Sequence, residues 1–244
     1  MRQLRKGVSG KPQLGCCLLL LAMMAMAWGQ RVISPAEYQK RRKVMVIEQI
    51  KARGVKDSRV LAAMANVPRE LFVPPDQLPY AYEDRPLPIG HSQTISQPYL
   101  VALMTKLLAP GKKDRVLELG TGSGYQAAIL GRLAGRVYSL EIVPELARSA
   151  ALVLRTNGFR NVRIREGDGY KGWAEFAPYD KILLSAAPPE IPAELLAQLR
   201  PGGRLVAPVG VDAQRLVVVN KLLDGTTETQ TILPVRFVPM VRGR

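Results

Sequence analysis

From residue 115 onward the hydrophobic positions concentrate in short stretches of strand length, some interrupted by a charged residue, separated by stretches with helical spacing. The runs at 115–119, 136–142, 161–165, 179–185 and 203–209 have the length of strands, and the intervening segments 125–134 and 194–199 read as helices. That alternation predicts a parallel sheet with helices on both faces. Two further runs, 215–221 and 229–238, are joined through Asp224-Gly225 and predict an antiparallel hairpin at the sheet edge.

Upstream the pattern is helical and then broken. Ser34-Pro35-Ala36-Glu37 has the form of a capping box with proline at the first helical position, and predicts a helix that runs to about residue 53 and stops at Gly54. A shorter helix over 57–65 places Val60, Leu61 and Met64 on one face. Prolines at 68, 74, 75, 79, 86 and 88 predict an ordered coil laid over the body. Helical spacing returns over 98–108, with Leu100, Leu103, Met104, Leu107 and Leu108 toward the core and Pro110-Gly111 as the stop. Residues 1–30 combine a basic start, an apolar core over 16–27 and the pattern Ala25-Met26-Ala27, which reads as a secretory signal peptide or a disordered leader. Its apolar core, about a dozen residues, is short for a permanent membrane span. The expected organisation is a leader (1–30), N-terminal helices with a covering loop (31–112) and a core (113–244), with 31–244 forming one compact domain.

Composition narrows the chemistry. Both cysteines, Cys16 and Cys17, lie in the leader, so the body can build neither a disulfide, a thiolate nucleophile nor a cysteine metal site. His91 is the only histidine, which excludes a multi-histidine metal centre, and no metal is expected. What remains is chemistry carried by a positioned cofactor. The net charge of +15 raises nucleic acid as a partner. Part of the excess, however, sits in the leader and in the run Lys40-Arg41-Arg42-Lys43, and the rest is scattered with few aromatics, so no specific nucleic-acid partner is expected.

The run 115–119 leads straight into Gly120, Gly122 and Gly124. A dinucleotide fingerprint would need a further glycine where Tyr125 stands, and a phosphate loop would need Gly-Lys-Ser/Thr, which is absent. The spacing G-x-G-x-G preceded by Glu118 resembles motif I of class I S-adenosyl-L-methionine-dependent methyltransferases. In those enzymes the loop lies against the methionine part of the donor, and the acidic residue faces its amino group through water. Glu141, about 20 residues on at the end of the next apolar run, stands where a carboxylate accepts the ribose hydroxyls. The plainer alternative is a tight strand-to-helix turn with an incidental acidic residue.

Two further stretches bear on the acceptor. Ala187-Pro188-Pro189-Glu190 lacks the Asn/Asp-Pro-Pro-aromatic pattern of enzymes that methylate exocyclic amino groups. The stretch from Pro86 to Pro98, with Gln93-Thr94-Ile95-Ser96 inside it, is accompanied by three more motifs: Val67-Pro-Arg-Glu-Leu-Phe-Val73, Ala186-Ala-Pro-Pro-Glu-Ile-Pro192 and Arg236-Phe-Val-Pro-Met-Val241. Together, in their order along the chain, they resemble bacterial protein-L-isoaspartate O-methyltransferases, from about residue 40 to the end of the sequence. The resemblance implies a Rossmann-like doubly wound α/β fold, with a mostly parallel seven-stranded sheet, a C-terminal antiparallel hairpin and an N-terminal helical extension. It also implies that Gln93, Thr94 and Ile95 close over the donor and that Ser96 belongs to the active site. Glu118, Gly120, Gly122, Gly124, Glu141, Gly167 and Asp168 are then donor contacts, with Gln214 nearby. One departure is Ser92, where the family commonly has glycine.

The implied reaction is methyl transfer to the free α-carboxylate of L-isoaspartyl residues in damaged proteins and peptides, which needs no general base because a carboxylate is ionised at pH 7. Ser96 has a bland alternative as the cap of the helix that follows it. His91 is expected to have no chemical role, and Tyr80, Tyr82 and Trp173 to be packing residues. Two other readings stand beside this one: an RNA methyltransferase, or a non-catalytic basic module that binds the donor. A monomer acting in the cytoplasm, where the donor is made, is expected, with export as the alternative the leader suggests.

Overall fold

The computed structural model describes residues 33–243. The leader, and with it the signal-peptide reading, lies outside them. The chain divides into a short N-terminal unit, residues 1–35, and a body comprising residues 36–244.

Helix α1 (Pro35–Val44) continues into a π-helical turn, Met45–Lys51, so the uniform helix expected to residue 53 changes pitch half-way. Bonding from i to i+5 sets residues five apart one above the other, and Met45 and Ile50 are both buried, with Val46 beside them. Helix α2 (Ser58–Asn66) is capped by Asp57, whose carboxylate accepts the N–H groups of Arg59 and Val60. The proline-rich segment is not simple coil. It holds two 3-10 turns, Arg69–Phe72 and Pro75–Tyr80, and prolines at the start of the second supply the φ such a turn needs. A two-stranded hairpin, β1 (Leu87–Gly90) with β2 (Gln93–Ile95), follows where no strand was expected. Its two-residue turn, His91-Ser92, has φ of 53° and 57°, the left-handed pair that such turns require. The common family glycine at position 92 is thereby explained: Ser92 occupies a conformation that glycine adopts without strain.

Helix α3 (Pro98–Leu108) ends through Ala109 in the left-handed conformation, one residue before the proline stop. It buries Val101, Leu103, Met104 and Leu108. The strands and helices then alternate: β3 (Arg115–Leu119), α4 (Tyr125–Leu133), β4 (Arg136–Glu141), α5 (Pro144–Thr156), β5 (Val162–Glu166), β6 (Tyr179–Leu184), α6 (Ala193–Gln198), β7 (Leu199–Val209), β8 (Arg215–Lys221) and β9 (Thr227–Pro234). The sheet order is β5-β4-β3-β6-β7-β8-β9, parallel from β5 to β7 and antiparallel through the last two. The hairpin forms the edge, as its pattern predicts. Side chains of β3 divide between the faces: Val116 joins the core beneath α3 and α4, while Leu117 and Leu119 join the core beneath α6. Among the described residues no helix is long and apolar enough to cross a membrane.

Candidate active site

Strand order reverses at β3, whose neighbours β4 and β6 lead to opposite halves of the sheet, and in such sheets the crevice beyond the carboxyl ends at this point receives ligands. The glycine loop is built for that place. Gly120, Gly122 and Gly124 all have positive φ, and a Cβ on Gly124 would lie 3.2 Å from both Ala150 and Leu154 of α5. Only glycine meets both demands at position 124. The loop is tied to β4 by the N–H groups of Gly120 and Thr121, which donate to the carbonyl of Leu140 at 2.9 and 3.2 Å.

Glu141, at the end of β4, is only 5% exposed, and its carboxylate is aimed by main-chain donors: Gly122 N–H at 2.7 Å on one oxygen and Val143 N–H at 3.0 Å on the other. Each oxygen keeps acceptor capacity, the requirement for a pair of vicinal hydroxyls. The crevice has a volume of about 870 Å³, solvent mouth included. It is lined by Gly120 after β3, Glu141 at the end of β4, Gly167 after β5 and Ser185 after β6. Gln93, Thr94, Ile95 and Ser96 form another wall, and the segment from Val238 to Val241 a third. These walls carry one carboxylate and no lysine or arginine, a setting that favours a cationic ligand over a phosphate. A groove lies alongside, lined by Arg53, Tyr99, Leu100 and the segment Leu233 to Pro239. Thr94, Ser96, Ser185, Val238 and Pro239 line both spaces.

Of the expected site residues, Gln93, Thr94, Ile95, Ser96, Gly120, Gly122, Glu141 and Gly167 therefore meet at one cavity. Glu118, Gly124, Asp168 and Gln214 do not line it. Glu118 points into the protein with no exposure, because alternation along β3 puts it on the inner side with Val116. One of its oxygens accepts the Ser139 hydroxyl at 2.6 Å, Ser139 is in turn 2.5 Å from the Thr121 hydroxyl, and the other oxygen has no partner. Burial pushes its pKa up to about 8, against the pull of Ser139 and with a further push from Glu141. Thus the motif's carboxylate reaches the cavity wall only through Ser139 and Thr121. Asp168 caps the turn Gly169–Lys171 by accepting the N–H of Tyr170. Gln214 behaves like an extra strand bond: its amide donates to the Phe237 carbonyl at 3.0 Å and accepts the Phe237 N–H at 2.6 Å. It holds the segment that walls both spaces.

Ser96 does not cap α3. The cap position is Gln97, with no side-chain bond to the helix. His91 sits in the hairpin turn, and Trp173 packs edge-on against Tyr138 and Phe176. Two features of the site were not read from the pattern. Ala187 and Pro239 form a parallel bridge, with Ala187 N–H donating to Val238 at 2.9 Å and Met240 N–H to Ala187 at 2.8 Å, so two distant motifs become one wall. Arg69, inside another of those motifs, is fully buried and donates to the carbonyl of Ser96 at 2.8 Å. Its signal was an Arg-Glu pair flanked by apolar residues on both sides.

A family model described as Protein-L-isoaspartate(D-aspartate) O-methyltransferase (PCMT) matches residues 40–244. The chain is 54% identical over 204 residues to the protein-L-isoaspartate O-methyltransferase of Gloeobacter violaceus, covering 82% of this chain and 98% of that one. Against the Opitutus terrae protein of the same name it is 48% identical over 229 residues, covering 93% and 98%. A solved protein-L-isoaspartate O-methyltransferase superposes with a TM-score of 0.75 at 32% identity, over 81% of this chain and 65% of that one. A Plasmodium falciparum structure in complex with S-adenosyl-L-homocysteine shares the fold, with a TM-score of 0.72 at 24% identity over 81% and 97%. With one family model running from residue 40 to the last residue, and a relative above half identity along nearly its own full length, the chain belongs to the protein-L-isoaspartate(D-aspartate) O-methyltransferase family.

Proposed function

We propose that the chain transfers the methyl group of S-adenosyl-L-methionine to the free α-carboxylate of L-isoaspartyl residues in damaged proteins and peptides. The observation that carries this reading is the pair of adjoining spaces, a cavity at the switch point and a groove beside it, with Ser96 on the wall common to both. Gly120, Gly122 and Glu141 would hold the donor, whose sulfonium supplies an electrophilic methyl carbon. In the transfer, a carboxylate oxygen forms the new O–C bond as the S–C bond breaks and its electron pair stays on sulfur. No proton moves, so the residues have to orient, exclude water and leave the acceptor ionised. The Ser96 hydroxyl is a neutral donor suited to steering that oxygen without quenching it. The groove takes the acceptor as an extended segment, since an isoaspartyl link adds a backbone carbon that a regular helix cannot accommodate. The backbone amide nitrogen then attacks the methyl ester carbonyl, methanol leaves as the succinimide closes, and hydrolysis of the succinimide returns in part the normal aspartyl link.

A methanol vapour-diffusion assay tests this with an isoaspartyl peptide beside its aspartyl counterpart and an RNA. Base-labile methyl on the isoaspartyl peptide alone is the expected result, and methyl on RNA or on neither peptide would reject it. We assign the activity to a monomer in the cytoplasm, where the donor is made; size-exclusion chromatography and fractionation with N-terminal sequencing of the native protein test those two assignments.

A further inference from the structure

Arg69 heads the fully buried side chains of the described body in size, and its charge is held without an ion pair among the described residues. Taking a guanidinium out of water is costly, so what grips it is informative. Nε donates to the carbonyl of Ala81 and Nη2 to the carbonyl of Ser96, both at 2.8 Å, while the guanidinium carbon lies 4.8 Å from the centre of the Tyr125 ring. Nη1 is buried without a partner. The main chain of Arg69 is fixed as well, its N–H donating to the Tyr82 hydroxyl at 3.2 Å.

These partners belong to the two sides of the reaction. Ser96 ends the stretch that separates cavity from groove, and Tyr125 is the first residue of α4, directly after the glycine loop. We propose, on the strength of the methyltransferase reading, that Arg69 is a positioning residue: its guanidinium sets the main chain at Ser96 against the donor-side helix and so fixes how far the acceptor oxygen stands from the methyl carbon. A planar fork can span two carbonyls while stacking on a ring, which a lysine ammonium cannot. In-line displacement is sensitive to this spacing, since a misplacement of about 1 Å costs on the order of 100-fold in rate.

The test uses the full chain with Arg69→Lys and Arg69→Met, measuring S-adenosyl-L-homocysteine affinity by calorimetry, turnover on an isoaspartyl peptide, and amide exchange by mass spectrometry. The expected result is kcat down by roughly 30- to 100-fold, with peptide KM and the Kd for S-adenosyl-L-homocysteine each changed by less than about threefold. Exchange over 93–97 should quicken by about tenfold or more while that of β3 stays slow. If kcat per ligand-binding molecule is unchanged, or falls only with the folded fraction, or if exchange over 93–97 is unaltered, the positioning role is overturned. Should neither Arg69 variant fold, Arg69→Gln, which removes the charge and keeps a planar amide donor, decides by the same readouts. A wild-type chain that methylates no isoaspartyl peptide would sink the methyltransferase reading, and the exchange comparison would still decide the link between Arg69 and Ser96.

Discussion

Replacing Glu118 by glutamine should make the protein more stable at alkaline pH than it naturally is. Glu118 has no exposure, one accepted hydrogen bond and one unpartnered oxygen, and burial carries its pKa from the usual 4.5 to about 8. Between those values the folded chain keeps a proton that the unfolded chain has lost, so the stability contributed by the protonated form is complete below pH 4.5 and disappears as pH rises through 8. At 1.36 kcal/mol per unit, the whole interval is worth about 5 kcal/mol at most, of which roughly 3 kcal/mol is already gone at pH 7. Glutamine keeps the shape and an acceptor for Ser139 but never ionises. Glu118→Gln should therefore match the wild type within about 1 kcal/mol at pH 5 and exceed it by about 3–5 kcal/mol at pH 8.5. Urea denaturation at the two pH values measures this directly, with a midpoint gap of roughly 1–3 M expected at the higher pH. Parallel pH dependence in both proteins would refute the assignment of a protonated, buried carboxyl at position 118.

Other outcomes follow from single contacts. Ser92→Gly relieves a left-handed residue in the hairpin turn and should add about 1 kcal/mol, seen as a Tm higher by about 2–4 °C in calorimetry. Ser96→Ala should lower kcat by about 10- to 100-fold while leaving donor affinity within about threefold, and unchanged turnover would remove the hydroxyl from the reaction. Gln214→Ala cuts both bonds to Phe237 and should raise the peptide KM by about tenfold, with a smaller effect on the donor, in steady-state kinetics varying each substrate.

Much of the fold was legible because parallel strands covered on both faces concentrate apolar residues over a strand's length, as Val116, Leu117 and Leu119 do in β3 and Ile182, Leu183 and Leu184 in β6. Helix α5 turns Leu146, Ala147, Ala150 and Leu154 inward, a helical spacing that marks it between its neighbouring strands. Hairpin β1–β2 was hidden because its strands are four and three residues long and contain Pro88. Site residues divided along a similar line. Glycines with positive φ and a carboxylate at a strand end are local properties, so Gly120, Gly122 and Glu141 could be placed from spacing. Whether Glu118 faces ligand or core depends on which side of β3 is covered, and that is decided by α3 and α4 on one face and α6 on the other, elements far apart in sequence. Gln214 and Arg69 act through main-chain groups, and a main-chain group leaves no mark in a sequence.

The walls around Glu141 have a consequence for the end of the catalytic cycle. Turnover discharges the bound sulfonium to a neutral thioether, so an enclosure that attracts the incoming nucleoside holds the outgoing one less firmly. At about 6 Å and an effective dielectric of 20 to 80 that difference is on the order of 1–3 kcal/mol in favour of exchange. Raising ionic strength should narrow the gap between the two affinities, and a gap indifferent to salt would place the preference in shape and not in charge.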